Sequence, residues 1–126
     1  MVGQELVLQS TSDWVLQRKY SREFDSMLLV KSLPNSSAEK RAKLHYEFSL
    51  FVNEQNPWLL NPIALDYVDN QFAILFEDFN GICLRDLMKR ALSIHHFFSV
   101  AMELVNACIY LQQRRILFQN LNPQYI

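Results

Sequence analysis

The chain has 126 residues, the length of one ordinary domain, and its 50% hydrophobic and 20% charged composition is that of a soluble globular protein. Its formal net charge of −1 lacks the positive excess that binds nucleic acid or an acidic membrane surface, so we expect neither partner. No apolar run approaches the roughly 18 residues of a membrane span, and residues 1–10 do not read as a signal peptide, so we expect a cytoplasmic protein. Cys83 and Cys108 have no His or Cys neighbours at metal spacing, and no metal site is predicted.

The first two elements are predicted to be a β-hairpin. Residues 5–9 and 14–20 are rich in branched and aromatic side chains, and the polar segment Ser-Thr-Ser-Asp at 10–13 separates them. That turn has no glycine, and Asp13 would bring negative charge beside a bound phosphate. An ordinary hairpin turn is therefore favoured over a phosphate-binding loop.

A third strand and a helix follow. Residues 25–33 are mostly apolar and predict a buried strand, within which Lys31 is charged. Ser36 and Glu39 have the spacing of a capping box, which predicts a helix over residues 37–55. Its apolar stripe consists of Leu44, Phe48, Phe51 and Val52. Glu47 borders this stripe, and Lys31 alone could be simply solvated, as a lysine at the end of a strand often is.

The second half of the chain is predicted to be a hairpin and two helices. Residues 62–68 and 71–78 flank a two-residue loop, Asp69-Asn70, and the second of these strands is apolar enough to be buried on both faces. A turn and a short helix occupy residues 77–88. Ser93 is predicted to cap a long helix whose apolar stripe should be largely buried: Phe97, Ala101, Leu104, Cys108 and Leu111.

The last residues, 115–126, combine an apolar triplet, two polar residues and the pattern Asn-Pro-x-x-Ile. Taken alone, this segment is compatible with a helix that simply ends in an Asn-Pro turn.

The succession of elements resembles a degenerate eukaryotic-like Ser/Thr protein kinase domain. Residues 76–81 are similar to a kinase hinge of the form Leu-Glu-Asp-Phe-Gly-Gly, and residues 118–126 are similar to a catalytic loop of the form His-Lys-Asp-Ile-Asn-Pro-Ser-Asn-Ile. The nearest resemblance is to the kinase-like domains at the N-terminus of large bacterial signalling proteins with ATPase and sensor histidine kinase regions. It implies an α+β fold: a five-stranded antiparallel small lobe with one helix over residues 1–78, then the hinge and the incomplete start of the large lobe over 79–126. We therefore expect a fragment of a longer protein.

The resemblance also implies candidate site residues. Lys31 would contact the phosphates of ATP and pair with Glu47, the backbone from Glu77 to Phe79 would hydrogen-bond adenine, and Phe76 would be the gatekeeper behind it. ATP is accordingly the candidate cofactor.

The catalytic-loop positions depart from the kinase pattern. Phe118 stands at the His position, Asn120 at the catalytic Asp and Tyr125 at the magnesium-binding Asn. An amide is a far weaker base than a carboxylate, and a neutral phenol is a poor magnesium ligand. No catalytic residue is intact, which implies a kinase fold without kinase chemistry.

We therefore expect a pseudokinase domain with a regulatory or protein-interaction role. Its partners would be other domains of the parent signalling protein or a regulatory protein. Two alternatives stay open: an active Ser/Thr kinase whose remaining catalytic parts lie beyond Ile126, and an unrelated α+β interaction domain. In an isolated fragment the apolar stripe from Phe97 to Leu111 would be exposed, and poor solubility is expected.

Overall fold

A computed structural model of the chain describes residues 5–117 and residue 126. The elements, in chain order, are strands and helices of the kinds predicted: β1 (Leu6–Ser10), β2 (Val15–Ser21), β3 (Ser26–Ser32), α1 (Ala38–Phe51), β4 (Pro62–Val68), β5 (Gln71–Glu77), α2 (Leu84–Leu87) and α3 (Ile94–Gln113). The protein is thus α+β, as expected.

The chain divides into two compact units. The first contains Met1–Asn56 and Leu60–Asn80, and the second contains Pro57–Leu59 and Gly81–Ile126. The boundary between lobes predicted at residues 78–79 stays a prediction.

A five-stranded antiparallel sheet forms the first unit, in the order β1-β2-β3-β5-β4. The turn between β4 and β5 is the predicted two-residue loop, and both of its residues have positive φ, 50° at Asp69 and 63° at Asn70. Positive φ at both central positions is the geometry of a type I′ turn, which matches the twist of the flanking strands and which Asp and Asn tolerate.

The central strands β3 and β5 are buried on both faces, because their sequences are apolar almost throughout. On one face Leu29, Ile74 and Phe76 pack beneath α1, which contributes its buried Leu44. The opposite face carries a second cluster, formed by Leu28, Val30, Ala73 and Leu75. This sheet therefore holds apolar contacts on two sides, with the helix on one of them.

Helix α1 begins one residue later than the predicted capping box. Its N-cap is Ser37, whose side chain accepts a hydrogen bond from the Lys40 amide at 3.2 Å. The Ser36 hydroxyl instead lies 3.1 Å from the Arg41 guanidinium. Two adjacent serines can each start a helix, and the structure uses the second, which excludes Glu39 from the capping-box position. The helix ends at Phe51, earlier than the predicted residue 55.

Helix α3 dominates the second unit. Its predicted cap is confirmed, since the Ser93 side chain accepts from the His96 amide at 3.1 Å. At the other end Arg115 adopts φ 57°, and the Ile116 amide donates to the Leu111 carbonyl at 2.9 Å, which is a Schellman closure made without glycine. Trp58 packs on this helix, with its indole 3.1 Å from Glu103.

The prediction that α3 is largely buried is wrong for this chain. Leu111 is the one buried residue in the helix. Six of its large apolar side chains are exposed by about half or more: Ile94, Phe97, Phe98, Met102, Val105 and Ile109. Their periodicity shows that the helix has an apolar face, but the described residues do not cover it. Within the predicted stripe, Ala101 and Leu104 are half-buried and Leu111 is buried, whereas Phe97 and Cys108 are exposed.

By length and composition alone, α3 would also be able to cross a membrane, and it is the one described helix of which this holds. A core helix of a soluble protein meets the same two criteria. The expectation of a cytoplasmic protein without membrane contact therefore stays a prediction.

We predict that the chain self-associates in solution and that polar substitutions on α3 reduce this tendency. Phe98 and Met102 are 60% and 66% exposed. They lie one helical turn apart, so Phe98→Glu with Met102→Lys removes apolar surface and adds a helix-stabilising ion pair. Sedimentation velocity over a range of concentrations measures the effect.

Tyr46→Glu provides the matched control, because Tyr46 is 65% exposed but lies on α1. It should leave the association unchanged. A monomeric unmodified chain with one sharp, cooperative unfolding transition would contradict the prediction.

Candidate functional site

The site predicted from sequence centres on Lys31, and the structure brings Lys31 and Glu47 together. The Lys31 Nζ lies 3.1 Å from Oε1 and 2.9 Å from Oε2 of Glu47. Lys31 belongs to β3, where alternation places it between Leu29 and Leu33 on the face beneath α1. Glu47 is one turn beyond the buried Leu44 on α1, so both partners point at the same interface. The ion pair joins the sheet to the helix.

Trp14, which was not predicted as a site residue, covers the ammonium group of Lys31. Lys31 Nζ lies 5.2 Å from the centroid of the Trp14 ring, which is a cation-π distance. The two residues meet because Leu16 pairs directly with Lys31 across β2 and β3, and Trp14 shares the face of Leu16. Trp14 could have been identified from the register of β2 and β3, but the sequence alone does not give that register.

A second ion pair missed by sequence reasoning lies on the same face. Arg18 Nε is 2.6 Å from Oδ2 of Asp78, and a second guanidinium nitrogen is 3.2 Å from Oδ1. The side chains are only 15% and 7% exposed. Asp78 Oδ1 also accepts from the Asn80 amide at 2.8 Å, which supports the positive φ of 58° at Asn80. The bidentate ion pair between Arg18 and Asp78 thus holds in place the segment that follows β5.

The remaining predicted nucleotide contacts occupy unlike environments. Phe76 is 6% exposed and belongs to the core beneath α1. The Glu77 side chain is exposed, and its amide donates to the Asn61 carbonyl at 3.2 Å. Phe79 is 69% exposed. The nucleotide roles of Lys31, Glu47, Glu77 and Phe79 stay predictions.

The three catalytic-loop positions, Phe118, Asn120 and Tyr125, lie outside the described residues. Their interpretation continues to rest on sequence. Within residues 5–117 and 126, no group of three or more His, Cys, Asp or Glu side chains is arranged to hold a metal ion.

A cavity of the first unit is on the other face of the sheet. It has a volume of about 390 Å³, and Leu28, Val30 and Leu75 are among its lining residues, whereas Lys31 and Glu47 are not. Tyr20, also in its wall, donates a hydrogen bond to Asp25, and this bond raises the pKa of the Tyr20 hydroxyl. This cavity is therefore not a nucleotide recess beside Lys31.

We predict that Arg18→Met lowers the free energy of unfolding by about 3 kcal/mol, because it leaves the Asp78 carboxylate largely buried without its cation. Urea denaturation followed by circular dichroism measures this change. Lys43→Met is the control, since the Lys43 to Glu39 pair is 75% and 79% exposed, and we expect a loss below about 0.5 kcal/mol. Equal losses in the two variants would contradict the importance assigned to Arg18.

Comparison of the chain with models of known protein families and with curated proteins finds no match.

Proposed function

We propose that this chain is a kinase-like domain with a regulatory or protein-interaction role and without phosphoryl transfer. The observation that carries the proposal is the contact between Lys31 on β3 and Glu47 on α1, 2.9 Å at its closest. This contact occurs within the order of strands and helices from which the resemblance was drawn. An α+β architecture alone would not require a lysine and a glutamate at these two places.

The lack of catalysis is proposed from the residues of the final loop. Asn120 brings an amide where proton transfer needs a base, and Tyr125 brings a neutral phenol where magnesium needs a carboxylate or amide oxygen. Phe118 adds an apolar ring in place of an imidazole. We propose a cytoplasmic module whose partners are other domains of a parent signalling protein or a separate regulatory protein.

An active Ser/Thr kinase is the second candidate. The Lys31 to Glu47 pair is compatible with this candidate as well, because an active kinase positions the phosphates of ATP with such a pair. It would need a carboxylate from elsewhere in the protein to act as base in place of Asn120. Asp-Phe-Gly encoded downstream of Ile126 would favour this candidate. A continuation without a kinase-like large lobe would instead favour the third, an unrelated α+β interaction domain.

We predict no phosphoryl transfer above background. The measurement uses the longest natural form of the protein, labelled ATP with Mg²⁺ or Mn²⁺, and generic protein substrates with Ser, Thr and Tyr acceptors. The double variant Asn120→Asp with Tyr125→Asn tests whether these two loop residues are the cause of the missing activity. It restores the proton acceptor and the magnesium ligand that the loop lacks.

Lys31→Met and Lys43→Met form a matched pair for this assay. Lys43 lies on the same helix as Glu47, but it pairs with the exposed Glu39 at 3.2 Å. Transfer that survives Lys43→Met and is lost in Lys31→Met would overturn the proposal in favour of an active kinase.

A further inference from the structure

The turn between β1 and β2 directs its backbone amides inward. The Thr11 hydroxyl accepts from the Asp13 amide at 3.2 Å and from the Trp14 amide at 3.0 Å. It also donates to the Trp14 carbonyl at 3.1 Å, and the Thr11 amide donates to that same carbonyl at 2.8 Å. A hydroxyl has one donor and two acceptor sites, so all of its hydrogen-bonding capacity is used.

This arrangement is unlike a phosphate cradle. A phosphate-binding turn presents successive N-H groups to the ligand, and glycines let the backbone approach it closely. Here the amides of Thr11, Asp13 and Trp14 are satisfied within the turn. The turn would have to break these hydrogen bonds before it could bind a phosphate through the same groups.

The charge of the turn is also unfavourable for a triphosphate. Asp13 lies in the turn, and its carboxylate is 3.0 Å from Nζ of Lys40 on α1. This pair partly neutralises the charge of Lys40, the lysine nearest to Asp13 on α1. A polyphosphate would meet a carboxylate and compete with it for the lysine.

The indole of Trp14 covers the ammonium group of Lys31, in addition to the ion pair that this group makes with Glu47. An ammonium group has three N-H donors, and two short contacts go to the Glu47 oxygens. The Trp14 indole covers the group at 5.2 Å, and the Lys31 side chain is 22% exposed. The indole of Trp14, which follows the β1-β2 turn, therefore lies beside the Lys31 ammonium group that nucleotide phosphates would otherwise contact.

We propose that the first unit is held together without a nucleotide, and that Trp14 and the Thr11 turn take the structural role that ATP would have beside Lys31. Trp14, Lys31 and Glu47 link the β1-β2 hairpin, β3 and α1, and the Asp13 to Lys40 pair makes a second link to α1. The residues near Lys31 therefore do not fit ATP as a structural ligand. This inference rests on the proposed function, in which the domain acts without turnover.

The test is thermal unfolding of the full chain with ATP or ADP, each with and without Mg²⁺. A nucleotide present at about 100 times its Kd would raise the Tm by several degrees. We expect a shift below about one degree, the size of an effect without specific binding. Lys43→Met serves as the control for non-specific attraction of the anion to surface lysines.

Fluorescence gives a second readout, at Trp14 itself. The chain has two tryptophans, so Trp58→Phe leaves Trp14 as the reporter beside Lys31. We expect ATP to leave its emission unchanged. We also expect Thr11→Val to speed hydrogen exchange at the Asp13 and Trp14 amides at least tenfold, and Ser12→Ala to leave it unchanged.

A rise in Tm of several degrees that disappears in Lys31→Met would overturn this inference, and so would a saturable change in Trp14 emission. Such binding without phosphoryl transfer would leave the proposed function standing. Binding with transfer would overturn both. Unchanged exchange in Thr11→Val would also overturn the inference, because the hydroxyl would then not be what holds the turn amides.

Discussion

The first unit depends on how a charged side chain is accommodated on an apolar strand. Lys31 shares its face of β3 with Leu29 and Leu33, which are 3% and 6% exposed. A cation among such neighbours is costly unless it is paired. Glu47 provides the pairing from α1, and Trp14, the residue before β2, provides an aromatic surface. The ammonium group of Lys31 thus joins α1 and the first hairpin to β3, beside the apolar contacts of Leu44.

The order of elements could be predicted because it is encoded locally. Alternation and apolar runs identify the strands, and the Asp69-Asn70 loop identifies a hairpin, since both residues tolerate positive φ. Boundaries are less determined. Ser36 and Ser37 are equally good caps by residue type, and only the position of the Lys40 amide selects the second.

Contacts between distant residues were harder to predict. Lys31 and Glu47 were paired from a resemblance that supplied both positions, whereas nothing in the pattern joined Arg18 to Asp78. That pair depends on the register of β2, β3 and β5, which sets Arg18 opposite Leu29 and Leu29 opposite Phe76, two residues before Asp78. Periodicity likewise identified the apolar face of α3 but not what covers it. Burial requires a second surface, and the described residues do not supply one for this face.

A lysine paired with a glutamate across a strand and a helix does not by itself distinguish catalysis from structural support, because both uses need the same short contact. The distinction comes from the groups around the pair. A nucleotide site leaves backbone donors and a cation open to the phosphates, whereas here the Thr11 hydroxyl satisfies two turn amides and Trp14 covers Lys31. The turn that precedes Trp14 has no glycine, and a threonine hydroxyl and an indole complete this arrangement.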